Sequence, residues 1–210
     1  LYLTGGFDNS IIDNDENKTF LPAAKENEHR FEEITSGIPM VLAKMAVRQN
    51  KIGEIGLSYM GGIYNKFQDD GIVLDEKRSC NVYAIDFNTT LPYVNTFITG
   101  EWAWVKVEVP ENYIQQYGTI QHGGFIDIVQ PVLTRPVFGW EEAVFNVACR
   151  LEYVDWNVGS FQETGGNISD DLWSIMPAIS FRPTPQTVFR LNYRYQEQKD
   201  ILGKKKKKTG

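Results

Sequence analysis

From residue 40 onward, apolar and polar residues alternate almost one by one along most of the chain. A side-chain period of two is the signature of strands with one apolar and one polar face. The pattern predicts eight strands. Met40 to Arg48 sets Val41, Ala43, Met45 and Val47 against Lys44 and Arg48. Glu54 to Gly61 sets Ile55, Leu57 and Tyr59 against Glu54, Ser58 and Met60. Cys80 to Asn88 and Thr96 to Lys106 follow, the latter with Ile98, Trp102 and Trp104 opposite Thr99 and Glu101. Gly123 to Gln130 is the least regular, because Phe125 falls on the side of Asp127. Ala143 to Val154 is the cleanest: Phe145, Val147, Cys149, Leu151 and Tyr153 alternate with Asn146, Ala148, Arg150 and Glu152. The last two strands form a hairpin from Leu172 to Gln196, turning at Pro183–Gln186. Pro177 lies in mid-strand and removes a ladder hydrogen bond, which predicts weakened pairing there. Helical periodicity is confined to a weak stretch near Ala23–Ile34.

The connections have their own rhythm. Those after the first, third and seventh strands are short, and those after the second, fourth and sixth are long and polar; Pro131–Glu142 breaks the pattern. Short turns at one rim and long loops at the other are a property of outer-membrane barrels. Tyr59, Trp104, Tyr153, Trp156, Trp173, Tyr193 and Tyr195 fall near the long-loop rim, with Phe87 and Phe181 toward the other. Amphipathic rings favour the membrane–water interface, so two such belts fit lipid-facing strands. The expected architecture is therefore all-β: an antiparallel transmembrane β-barrel, here a part with about eight to nine strands. A soluble or surface β-sandwich that binds carbohydrate is the competing reading, and it would bury Phe189, Leu191 and Tyr193 in a two-sheet core.

Composition agrees with either. The 210 residues include 12 Phe, 10 Tyr and 5 Trp, and no apolar run is long enough for a transmembrane helix. Net charge is −6, and without Lys204–Lys208 the balance is 16 basic against 27 acidic residues. So acidic a body argues against a nucleic-acid partner. The opening Leu1–Phe7 reads as the end of a strand already under way, so the chain is expected to be a fragment of one barrel domain. Residues 8–37 carry eight acidic and three basic side chains and read as a long exposed extracellular loop, folded toward the mouth. Residues 203–210 read as a truncated basic loop.

Catalytic chemistry finds no support. His29 and His122 lack metal-ligand spacing, and Gly56-Leu-Ser-Tyr-Met-Gly61 misses the nucleophile elbow. Asp13–Glu16 lacks the glycine and distal glutamate of a calcium loop. No enzyme, metal or cofactor is expected. The residues with physical content are the charges opposite the apolar faces: Lys44, Arg48, Glu54, Asp86, Glu101, Asp127, Arg150, Glu152, Arg182, Arg190 and Arg194. An Arg or Lys facing lipid at mid-depth costs about 2–4 kcal/mol, so in a membrane this face must line an aqueous lumen. Arg150, Arg182, Arg190 and Arg194 would form a basic wall opposite carboxylates on earlier strands, setting a transverse field, or would pair with neighbouring carboxylates.

Ile55–Tyr59, Gly100-Glu-Trp102, Gly123-Gly-Phe125, Leu151–Trp156 and Phe181-Arg-Pro183 with Leu191–Tyr195 stand in an order and spacing that resembles the phosphate-selective porin O/P-like family of bacterial outer-membrane porins. The resemblance covers the chain from about residue 38 onward. It implies a barrel of 16 or so strands, usually trimeric, in outer-membrane lipid, passing small hydrophilic solutes, including anions such as phosphate. It also implies a closing strand after the Arg194 strand. The family's basic ladder is not carried over to particular residues here.

Overall fold

The computed structural model describes residues 1–25, 34–50 and 52–209. Its strands are β1 (Tyr2–Thr4), β2 (Met40–Gln49), β3 (Gly53–Ile63), β4 (Gln68–Asp69), β5 (Ile72–Val73), β6 (Ser79–Thr90) and β7 (Phe97–Val107). They continue with β8 (Ile120–Thr134), β9 (Val144–Asp155), β10 (Asp171–Thr184), β11 (Thr187–Asn192), β12 (Tyr195–Lys199) and β13 (Lys205–Thr209). Except for the small β4–β5 hairpin, all belong to one antiparallel sheet ordered β1-β2-β3-β6-β7-β8-β9-β10-β12-β13, with β11 also on β10. The sheet is open: its two edges, β1 and β13, do not pair. The protein is all-β, and the regular elements outside strands among the described residues are two 3-10 turns, Asn9–Ile11 and Leu21–Lys25.

Register follows the alternation. Met45 pairs with Leu57, Leu57 with Ile85, and Ile85 with Trp102, so these side chains share one face. The ladder continues through Trp102↔Gly124, Gly124↔Tyr153 and Tyr153↔Trp173. The turn into β3 depends on Gly53, whose φ of +124° and approach to the Asn88 carbonyl leave no room for a Cβ.

Several boundaries differ from expectation, each for a local reason. β8 runs on to Thr134 through an irregularity at Pro131–Leu133, so the misfit connection shrinks to 135–143, where Val137 bridges Trp140. That restores the alternation of short and long connections up to β10. The Thr187–Gln196 strand is split at Tyr193–Arg194. Tyr193 N–H donates to the Pro177 carbonyl (3.1 Å), but Pro177 has no N–H to return, and the ladder lapses there. Tyr193 is consequently a mid-strand residue, not a rim one. The basic tail is not a loop: Lys205–Thr209 forms β13 on β12, with Lys207 opposite Glu197 and Lys205 diagonal to it (4.0 and 2.8 Å). The edge expected to be open along Thr187–Gln196 is thus covered over Tyr195–Lys199 and open along β11. The helical stretch near Ala23–Ile34 begins as a 3-10 turn ending at Lys25, and residues 26–33 lie outside the described residues.

The compact core is not under the apolar face. It lies on the opposite, charged face at the long-loop rim. There Met40, Cys80 and Val107 pack with Ile11, Ile12, Ala24 and Tyr64. Residues 5–39 connect β1 to β2 and lay Asn9–Ile12 and Leu21–Ala24 against that face. The segment read as an exposed acidic loop is therefore partly interior: Asp8, Ile11, Thr19 and Ala23 are buried. Tyr64, just beyond β3, anchors it from the side. Its hydroxyl donates to the Glu108 carbonyl (2.7 Å), and burial pushes the phenol's pKa up.

Candidate functional site: a charged sheet face beneath a mouth segment

All eleven charged residues singled out above project from the same face of the sheet. Lys44 stands in the row of Ser58 and Ala84, Arg48 opposite Glu54, and Asp86 opposite Glu101. Asp127 lies opposite Arg150, Glu152 opposite Ser174, Arg182 opposite Val144 and Arg190 opposite Ser180. Arg194 joins them through its guanidinium, which donates to Glu152 Oε2 at 2.6 Å. Phe125, the irregular residue of its strand, is on this face too. The Arg150 guanidinium lies over its ring, 4.1 Å from the centroid.

Two charge groups result. On the β2 side, Lys44 Nζ donates to Asp86 Oδ2 (2.8 Å), and Gly56 makes space for that carboxylate, which a Cβ would approach to 2.6 Å. On the β8–β12 side, Arg150 Nε sits 3.0 Å from Asp127 and 3.6 Å from Glu152. Glu152 also accepts from Ser174 Oγ (2.7 Å) and Arg194. Two of the four arginines of the expected basic wall are therefore in ion pairs, which is the pairing alternative rather than an unopposed field. Arg182 and Arg190, toward the short-turn rim, enter no ion pair among the described residues; Arg182 donates to the Pro185 carbonyl at 3.5 Å. Positive charge left uncompensated on this face is concentrated there.

The other face is uncovered. Met45 is 67% exposed, Leu57 53%, Ile179 57%, Phe189 63% and Leu191 69%. Phe189, Leu191 and Tyr193, which a sandwich would bury, are exposed here, and among the described residues no second sheet of comparable size covers them. Aromatic rings on this face gather toward the two rims. Toward the long-loop rim, Tyr59 meets Tyr83 (5.2 Å), His122 and Tyr153 stack on the mid-strand Trp102 (5.5 and 6.2 Å), and Trp173 meets Tyr195 (5.5 Å). Near the short-turn rim, Phe145 stacks on Phe181 (4.3 Å), beside Trp140.

Over the charged face at the long-loop rim lies the mouth segment. Gln121 Nε2 reaches from β8 to the Thr19 carbonyl (2.8 Å), and Gln116 Nε2 to that of Asn17 (2.8 Å). Lys18 ends between Asp170 and the Trp156 ring. The apolar residues of residues 8–25 follow no period, so the sequence carried only its acidity and length, not this packing. His122 belongs to the aromatic cluster on the apolar face, His29 lies outside the described residues, and no group of metal-ligating side chains occurs among the described residues. Comparison with known protein families, characterised proteins and solved structures returns no match.

Proposed function

We propose that the chain is part of an outer-membrane porin, a passive diffusion channel for small hydrophilic solutes, and not an enzyme. One observation carries the reading: between its rims the sheet exposes a bulky apolar face and keeps its charges, and its packed mouth segment, on the other, while charges such as Glu197, Lys199, Lys205 and Lys207 share the apolar side only at the long-loop rim. In water that arrangement leaves a broad apolar sheet face, from Met45 to Leu191, exposed, a feature of interaction or membrane surfaces. In a bilayer it is favourable, because lipid takes the apolar face and the charges keep water. The strand lengths suit this role. β3 and β7 have 11 residues each. At about 3.3 Å per residue and a 45° tilt, each covers about 25 Å of depth, the height of the lipid-facing band of such barrels. The sheet's ten strand positions leave β1 and β13 running in opposite directions, so an even number of further strands can close it antiparallel.

Within the lumen, the Lys44–Asp86 and Asp127–Arg150–Glu152–Arg194 groups supply fixed dipoles across the path. Arg182 and Arg190 favour anions toward the short-turn end. Passage of anions such as phosphate, and a homotrimer in the outer membrane, are the finer form of the proposal, resting on the family resemblance. The test is reconstitution of the full-length parent: it should need detergent or lipid to stay dispersed and should give discrete ohmic conductance steps in a planar bilayer. A folded monomer in plain buffer, without conductance, would overturn it.

A further inference from the structure

We infer that the Lys18–Asp170 ion pair is the latch that holds the mouth segment across the lumen, and so sets the size limit for solutes. The inference rests on the channel reading and deepens it. Segment 5–25 starts against Met40 on β2, reaches the connection between β9 and β10 at Lys18, five inter-strand spacings or about 24 Å along the sheet, and returns to the Met40–Cys80–Val107 core at Ala24. A crossing of that length needs a fastening at its far end.

Lys18 supplies it. Its Nζ lies 3.3 and 3.5 Å from the two carboxylate oxygens of Asp170, and 4.7 Å from the centre of the Trp156 ring. The two charged side chains are only 17% and 6% exposed, so water screens the pair weakly. Other contacts of the segment in this region, from Gln116 and Gln121, are neutral amide-to-carbonyl bonds.

Asp170 is held in place at a cost. Its φ is +125°, a conformation few side chains adopt, and its carbonyl is fixed by the Trp156 N–H (3.0 Å). Burial, with Asp155 and Asp171 near it, pushes its carboxyl above the usual range, against the pull of Lys18. A strained backbone holding a half-desolvated carboxylate has little structural use of its own. It is accounted for by the cation it captures from a segment 152 residues away in sequence.

The test uses the full chain in lipid with Lys18→Gln, Asp170→Asn and the conservative Lys18→Arg. Asn at 170 keeps the side-chain shape and tolerates positive φ, so folding is spared. Two readouts are taken: hydrogen exchange of the Phe20 amide, which bonds to the Ile11 carbonyl, and liposome swelling with neutral sugars from mono- to tetrasaccharide. K18Q and D170N should speed Phe20 exchange about 10- to 100-fold, the factor for losing one charge-assisted hydrogen bond, and admit larger sugars; K18R should restore both. Wild-type exchange rates in K18Q and D170N would overturn the latch even if no vesicle swells. Swelling by none of the variants, with exchange accelerated, would leave the latch standing and overturn the channel reading instead. Accelerated exchange with an unchanged sugar limit would overturn the role in size selection.

Discussion

Leu57→Arg separates lipid from water at one position. Leu57 lies on the uncovered face between Met45 and Ile85 and is 53% exposed. It stands four residues from one end of β3 and six from the other. With about 3.3 Å of rise per residue and a 45° tilt, that puts it about 9 Å from one band edge and 14 Å from the other, near the midplane. There an arginine costs about 2–4 kcal/mol. On a surface facing water, the same change at a half-exposed position costs within about 0.5 kcal/mol. The neighbouring Ser58→Arg points to the Lys44–Asp86 pair on the charged face and serves as the control. Urea unfolding in zwitterionic lipid vesicles, followed by fluorescence of the five tryptophans, reads both. L57R should shift the unfolding equilibrium by about 30- to 700-fold at 1.4 kcal/mol per decade, and S58R by less than about tenfold. Equal shifts for the two variants, or a larger one for S58R, would refute the assignment of faces.

Two further outcomes follow from local geometry. Pro177→Val supplies the donor that the Tyr193 carbonyl lacks; the hydrogen bond is worth about 1 kcal/mol, but losing proline's restraint on the unfolded chain costs about 0.4–1 kcal/mol, so global stability should barely move. Local hydrogen exchange should instead show the new amide as protected as those of Ile175 and Ile179, and an unprotected amide would contradict the account of the ladder break. In the β3–β6 loop, Arg78 donates to both carboxylate oxygens of Asp75 (3.0 and 2.9 Å) and holds its pKa below the usual carboxylate range. A depressed carboxylate pKa means stabilisation is fully present above the unfolded value and lost as pH falls through the folded one. The stability difference between wild type and Asp75→Asn, under about 1 kcal/mol for a pair with a half-exposed carboxylate, should therefore be constant at neutral pH and start to shrink as pH falls below about 4, disappearing only below the depressed folded pKa; a difference that grows in acid would refute the pairing.

What the sequence made legible depended on period. Where residues alternate, as from Phe145 to Tyr153, both the strand and its faces could be read, and all eleven charged residues share the face expected of them. Phe125 looked like an error of register but is correctly placed, covered by Arg150. Lys204–Lys208 has no alternation to read. It forms a strand because the backbone ladder closes over Tyr195–Lys199 and Glu197 on β12 pairs with Lys205 and Lys207 of the tail. The break at Tyr193 was foreseeable from Pro177 alone, since a missing donor is a property of one residue. The mouth segment was not, because Ile11, Ile12 and Ala24 are buried through contacts with Met40, Cys80 and Val107, far away in sequence and on the polar side of the strands.

The central claim is that the apolar face meets lipid and the charged face meets water. It is tested most directly by nitroxide labels placed singly at residues 146 to 151 of β9 in lipid vesicles. Collision rates with lipid-soluble oxygen should peak at 147, 149 and 151, and those with a water-soluble nickel chelate at 146, 148 and 150, a period of two with opposite phase. Oxygen and chelate rising and falling together along β9, or the chelate peaking at 147, 149 and 151, would contradict it.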